Sequence, residues 1–210
     1  IQNYPKMTMQ LGGVAQYTYA TADSSSTNKW SNNKNHANIN INNVGGWAND
    51  TYFRVGGITA ANNTSGTLTA DNQVVLHNSA NNGNITFQNL LPGLNGGYFA
   101  RPVIGGCIAT AITGPFVLDN VDNNGVITVN THSYHNTFVG GVIGYWSMGA
   151  STADVYIKNC DNTKNITVTT SKPTTGLPTK GKGEGILMGG IIAGNYKNGA
   201  TNYHITVSDC

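Results

Sequence analysis

The sequence predicts an all-β chain coiled into a right-handed parallel β-helix, or β-solenoid. Three observations carry that expectation: a repeated unit, a composition hostile to helices, and short alternating strands set between Asn- and Gly-rich corners. Three stretches align without a gap: VVLHNSANNGNITF (Val74 to Phe87), FVLDNVDNNGVITV (Phe116 to Val129) and VYIKNCDNTKNITV (Val155 to Val168). A degenerate copy, NKWSNNKNHANINI (Asn28 to Ile41), precedes them, and ITVSDC (Ile205 to Cys210) matches the front half of the unit. The chain has 210 residues, with 30 Asn, 25 Thr, 27 Gly and a single Glu, Glu184. Asn, Thr and Gly are poor in helix interiors, whereas Thr suits strands and Asn and Gly suit turns, so a helical bundle is excluded.

Each unit follows a strand-like segment with a glycine pair: LGGVA (Leu11 to Ala15), VGGITA (Val55 to Ala60), IGGCIA (Ile104 to Ala109), VGGVIG (Val139 to Gly144) and MGGIIAG (Met188 to Gly194). A module therefore reads as Gly-Gly strand, variable loop, second strand, Asn-rich corner and third strand. In the second strand Val74 alternates with Leu76, and in the third Ile85 with Phe87, Ile127 with Val129 and Ile166 with Val168, so one face of each is buried. Asn84 and Thr86, Val126 and Thr128, and Asn165 and Thr167 point outward. Strands this short cannot bury an apolar face alone; stacking about five three-strand rungs in parallel, ~4.8 Å apart, buries all of them. Residues 1–210 form one such domain, expected to be a segment of a longer chain or assembly.

Two columns of asparagine follow from stacking. Asn32, Asn78, Asn120 and Asn159, with Asp209 in the last module, are expected to bond the rungs above and below, because an amide both donates and accepts. Asn35, Asn81, Asn123 and Asn162 are expected at the turn itself, where Asn tolerates a left-handed backbone. Cys160 and Cys210 also occupy equivalent positions in neighbouring modules. They are within reach of a disulfide; Val121 at the same place suggests instead that the two thiols point inward as small core residues.

The five Gly-Gly segments and the linked NxxNxGNITV-type units resemble the GLUG-like β-solenoid repeats of bacterial surface proteins and adhesins. The resemblance spans most of the chain. It implies surface display and an adhesive or stalk-like role, and carries over no catalytic residue.

Charged residues make up only 10% of the chain and the formal net charge is +2, which leaves no basic footprint for nucleic acid. Lys172, Lys180 and Lys182 are the nearest approach to one. No apolar run is long enough for a membrane helix. Asp122 and Asp161, at equivalent places in consecutive modules and near Asp119, are the best candidates for the carboxylate pair of a polysaccharide lyase or hydrolase, or for a cation site. Asp is also an ordinary turn residue, and the same position holds Lys34 and Ala80 in the earlier modules.

His132 and His135 have a spacing that can seat a metal, but two ligands without a third do not make a site. Trp47, Trp146, Tyr145, Tyr196 and Tyr203 could stack on sugars, although rings that cap corners and cover the interior are the expected use. The outward column Thr86, Thr128 and Thr167 has the regular spacing of an ice-binding face, and Thr is equally an ordinary exposed strand residue. The sequons at Asn49, Asn62, Asn63, Asn84 and Asn165 would accept glycans in a eukaryotic secretory pathway, though several matches are expected from composition alone.

The expectation is an extracellular or cell-surface structural and adhesive protein that needs no cofactor, metal or catalytic residue. Its expected partners are surface glycans or other copies meeting at the solenoid ends. The alternative is a carbohydrate-active β-helix enzyme or carbohydrate-binding module.

Overall fold

The computed structural model describes residues 9–21, 28–42, 52–65, 74–89, 101–112, 116–132, 137–148, 155–171, 186–197 and 205–210. The first coil contains β1 (Met9–Gly12), β2 (Ala15–Thr21), β3 (Asn28–Ser31), the short β4 (Lys34–Asn35) and β5 (Ile39–Asn42). The second contains β6 (Tyr52–Gly56), β7 (Thr59–Ser65), β8 (Val74–Asn81) and β9 (Ile85–Asn89). The third repeats the pattern with β10 (Arg101–Gly105), β11 (Ile108–Ile112), β12 (Phe116–Asn123) and β13 (Ile127–His132). The fourth has β14 (Thr137–Gly140), β15 (Ile143–Met148), β16 (Val155–Lys158) and β17 (Ile166–Ser171), and the fifth has β18 (Ile186–Gly189), β19 (Asn195–Lys197) and β20 (Ile205–Ser208).

Equivalent strands pair in parallel from coil to coil. Sheet A is β1-β6-β10-β14-β18, sheet B β2-β7-β11-β15-β19, sheet C β3-β8-β12-β16-β20 and sheet D β5-β9-β13-β17. The register follows the sequence repeat: Phe116 lies between Val74 and Val155, and Ile127 between Ile85 and Ile166. The β-solenoid expected from the repeat is the observed architecture.

The coil has four strands rather than the expected three. The glycine pair is a corner between two strands, with β6 ending at Gly56 and β7 starting at Thr59. Close approach imposes glycine here, not a left-handed backbone. A methyl group on Gly57 would overlap the side chain of Asn81 and the carbonyl of Gly106, and one on Gly106 would overlap Asn123 and the carbonyl of Gly141. In the first four coils the second glycine of the pair is thus the socket for an asparagine of the opposite corner, Asn35, Asn81, Asn123 or Asn162.

That contact divides the interior in two. Sheets B and C enclose one apolar chamber, which includes Leu76, Cys107, Ile108, Phe116, Leu118, Val121, Trp146, Ile157 and Cys160. Sheets A and D enclose the other, with Phe53, Val55, Phe87, Ile104, Ile127 and Val139. Sheets A and B come together closely just beyond the glycine corner. Small residues permit this: a methyl on Gly144 would sit 2.6 Å from the carbonyl oxygen of Ile104. Val103 and Thr110 belong to neither chamber and are nonetheless buried, and Phe138 meets Tyr145 across the A/B boundary with ring centroids 4.6 Å apart. The layers therefore run C, B, A, D, and the outward sides of C and D are the two broad faces.

Candidate functional site

The corner between sheets C and D carries both asparagine columns, and they exchange the roles expected of them. Asn32, Asn78, Asn120, Asn159 and Asp209 are the left-handed residues, with φ of 58°, 48°, 57°, 53° and 54°. They sit where the strand of sheet C kinks, and Asn and Asp are the side-chain-bearing residues that enter this region at least cost. The kink turns the next side chain inward: Ser79, Val121 and Cys160 are buried.

The second column is the true ladder. Asn35 Nδ2 donates to Asn81 Oδ1 at 2.8 Å, Asn81 Nδ2 to Asn123 Oδ1 at 2.8 Å, and Asn123 Nδ2 to Asn162 Oδ1 at 2.7 Å. The same amides donate to the carbonyls of Ala37, Gly83, Gly125 and Lys164 two residues on. Asn81 and Asn123 are fully buried, and each spends both amide hydrogens on these bonds. An apolar residue could not satisfy those turn carbonyls, which is why amides sit at the seam between two apolar chambers.

Further polar columns run along the rim. Asn124 Nδ2 donates to Asn82 Oδ1 at 3.1 Å, and Thr163 Oγ1 donates to Asn124 Oδ1 at 2.9 Å. Asn38 Oδ1 accepts the Asn84 N–H, and Asn84 Oδ1 accepts the Val126 N–H, both at 2.9 Å. In the outer column Asn120 Nδ2 reaches Asn78 Oδ1 at 2.9 Å, while Asn159 Nδ2 turns aside to Asp119 Oδ1 at 2.9 Å.

The carboxylates are drawn into the same coil-to-coil bonding. Asp122 Oδ1 accepts the backbone N–H of Asp161 at 3.1 Å, so the two are brought together as expected from the repeat, with one holding the main chain of the other. Asp119 pairs with Lys158 Nζ at 3.2 Å. The Asn159 amide first, and Lys158 second, hold the Asp119 carboxyl below its usual range. Among the described residues no group of three or more His, Cys, Asp or Glu is placed to hold a metal, and no helix is long and apolar enough to cross a membrane.

Cys160 and Cys210 are brought together as free thiols, the Cys160 N–H lying 3.4 Å from Cys210 Sγ. Cys160 faces the B/C chamber, and burial pushes its thiol up to about 12. Cys107, which the repeat does not single out, lies in the same chamber with Sγ 3.2 Å from the Asp122 carbonyl, and burial raises its thiol strongly.

Trp146 is no sugar platform. It is buried in the B/C chamber with its ring edge-on to Phe116, centroids 5.7 Å apart. Tyr145 is half-buried against Phe138. Tyr196 lies in β19, paired with Ser147, and His132 ends β13 opposite Ser171. Trp47, His135, Lys172, Lys180, Lys182, Tyr203 and the sequon at Asn49 lie outside the described residues.

The two broad faces differ in chemistry. The face of sheet C mixes Val75, Val117 and Tyr156 with His77, Asp119 and Lys158. The face of sheet D carries two uncharged columns: Asn40, Thr86, Thr128 and Thr167, then Asn42, Gln88, Asn130 and Thr169. All eight side chains are exposed or half-exposed. No protein-family model matches this chain, and no curated protein or solved structure is detectably similar to it.

Proposed function

We propose that the chain is a structural and adhesive β-solenoid of the extracellular or cell-surface kind, acting by display and binding rather than by catalysis. One observation carries this reading: the recurring asparagines and the best-placed carboxylates are spent on holding one coil to the next. Asp122 holds the backbone of Asp161, and Asp119 is shared between Asn159 and Lys158. What the stack offers outward is two broad faces of fixed spacing, the kind of surface a quasi-one-dimensional repeat presents to partners. The resemblance to GLUG-like surface repeats supports the same reading.

Association along the axis belongs to it. Leu11 and Val14 in the first coil, and Ile186, Leu187, Met188 and Val207 in the last, are exposed apolar residues on the terminal layers. They suit contact with a further coil, whether of the same protein or of a second copy. The test is the intact mass and assembly state of the native material, by denaturing mass spectrometry with electron microscopy of the same sample. A longer chain carrying these coils makes this segment a shaft or stalk, and a mass near 22.1 kDa with end-to-end filaments makes it a fibre subunit. A 22.1 kDa monomer that degrades a polysaccharide, and loses that turnover in Asp122→Ala, overturns the reading.

A further inference from the structure

We propose that the outer face of sheet D binds an extended, uncharged polysaccharide lying along the solenoid axis. The inference deepens the adhesive reading above and rests on it. It starts from a contrast within a few residues of chain. At the rim, the amides and hydroxyls of Asn82, Asn124 and Thr163 are bonded to one another. On the adjoining strands, the side chains of Thr86, Gln88, Thr128, Asn130, Thr167 and Thr169 make no hydrogen bond to any described residue, while their backbones pair from coil to coil. Their donors and acceptors are turned to solvent on a rigid sheet, already ordered by strand pairing, so a ligand that uses them meets a preorganised array.

Hydroxyls and primary amides both donate and accept, which is also what a sugar hydroxyl requires. The two columns hold no charged residue, so the face offers no ion pair to acidic glycans, nucleic acid or anionic lipid. The geometry adds a register. Equivalent side chains repeat at the coil spacing of ~4.8 Å, close to the advance per sugar of an extended β-linked chain, so successive sugars meet successive coils. Each contact is weak, and several in line add up as linked sites do. A flat crystal lattice such as ice suits the face less well. Asn40 and Gln88 stand in the same columns as threonines, and their longer side chains break the level surface. The opposite face lacks this character, because Val117 and the Asp119–Lys158 pair interrupt any neutral polar array there.

The test uses the full chain with cellohexaose, mannohexaose and xylohexaose as probes, and oligogalacturonate as the acidic control, by titration calorimetry. Saturable binding of at least one neutral hexasaccharide is expected, with none of the acid. Thr128→Lys should weaken it at least about tenfold through lost hydrogen bonds and a buried-contact charge, while Val117→Lys on sheet C leaves it unchanged. Thr86→Ala together with Thr167→Ala is the gentler variant, and unchanged thermal unfolding shows that each variant folds. A folded wild-type chain that binds none of the three overturns the proposal, and so does equal loss in Thr128→Lys and Val117→Lys. Inhibition of ice growth that Thr128→Lys abolishes, without glycan binding, reassigns the face and also overturns it. The mass and assembly experiment is independent of all these outcomes, so failure here leaves the structural reading to be judged on its own result.

Discussion

The two asparagine columns stand three residues apart at one corner, recur in the same four coils, and do different work. In the inner column the side chain matters. Asn123 is fully buried, donates to Asn162 and to the Gly125 carbonyl, and accepts from Asn81. In the outer column the backbone matters: Asn120 is exposed and holds φ at 57°, and its one side-chain bond, to Asn78, is made in solvent. A recurring residue type therefore does not reveal which of its properties is being used. The distinction is open to measurement, because each column predicts a different response to the same kind of substitution.

The largest effect belongs to the inner column. Asn123→Leu keeps the branched shape but strands Asn162 Oδ1 and the Gly125 carbonyl, and leaves one Asn81 amide hydrogen without a partner. A loss of about 4 kcal/mol is expected, from several buried groups left unsatisfied at ~1 to 3 kcal/mol each. Gly106→Ala attacks the same seam from the opposite corner by forcing a methyl into Asn123 and the Gly141 carbonyl, and should cost at least about 3 kcal/mol. Because the two share one contact, their double mutant should lose less than the sum. Urea midpoints measure all three, and strict additivity would break the proposed fit of asparagine into glycine socket.

The next effect follows from the inward turn after the outer column. Cys160 succeeds the left-handed Asn159 and is buried, and burial, which disfavours the thiolate, pushes its thiol up to about 12. The folded state thus keeps a proton that the unfolded state releases above the ordinary cysteine range. The sign is fixed: stability is full below about pH 8.5 and falls as pH rises from there toward the folded value. Reduced protein should show this alkaline loss and Cys160→Val should reduce it, while the more deeply buried Cys107 thiol keeps a contribution of the same sign. In the native state Cys210, which is exposed, should alkylate fastest. If Cys210 resists alkylation until a reductant is added, the two stacked thiols form the disulfide that their equivalent positions allow.

Much of this was legible in the sequence, and the parts that were not share a cause. The coil-to-coil register is visible because Ile85, Ile127 and Ile166 recur with the same alternation, and period-two alternation marks one buried face. The fourth strand of each coil is hidden, because a glycine pair inside an apolar run looks the same whether it continues a strand or turns a corner. The difference lies in Asn81 and Asn123, which are distant in sequence from Gly57 and Gly106. The assignment of roles to the two columns fails for a related reason. Asparagine suits both a left-handed turn and an amide ladder, and only burial separates the two uses. Trp146 illustrates the same limit, since nothing local distinguishes a ring that faces a ligand from one that fills the B/C chamber. The neutral face of sheet D is readable from the alternation, but the lack of side-chain hydrogen bonds across it is not.

A smaller effect isolates the outer column's backbone. Asn120→Gly relieves the cost of the left-handed conformation and gives up one exposed bond, so stability should change by no more than about 0.5 kcal/mol. Asn120→Val must hold a β-branched residue at the same φ and should lose about 1 to 2 kcal/mol. The reverse ranking, with glycine worse than valine, would mean that the outer amide matters more than its backbone, and the contrast between the columns would collapse.

The smallest effect lies where the outer column leaves its own line. Asn159 donates to Asp119 rather than to Asn120, and Lys158 adds an ion pair, so the Asp119 carboxyl is held below its usual range by the amide first and the lysine second. A carboxyl with a lowered folded pKa contributes its stability above the unfolded value near 4 and loses it as pH falls through the folded value. The groups are well exposed, so the contribution is about a few tenths of a kcal/mol after solvent screening. Asp119→Asn should flatten the acid limb of the stability curve slightly and leave the neutral-pH midpoint almost unchanged. High salt should remove only the lysine's part, because the bond from the Asn159 amide does not depend on a second charge. The inner column has no such limb, since its amides do not titrate.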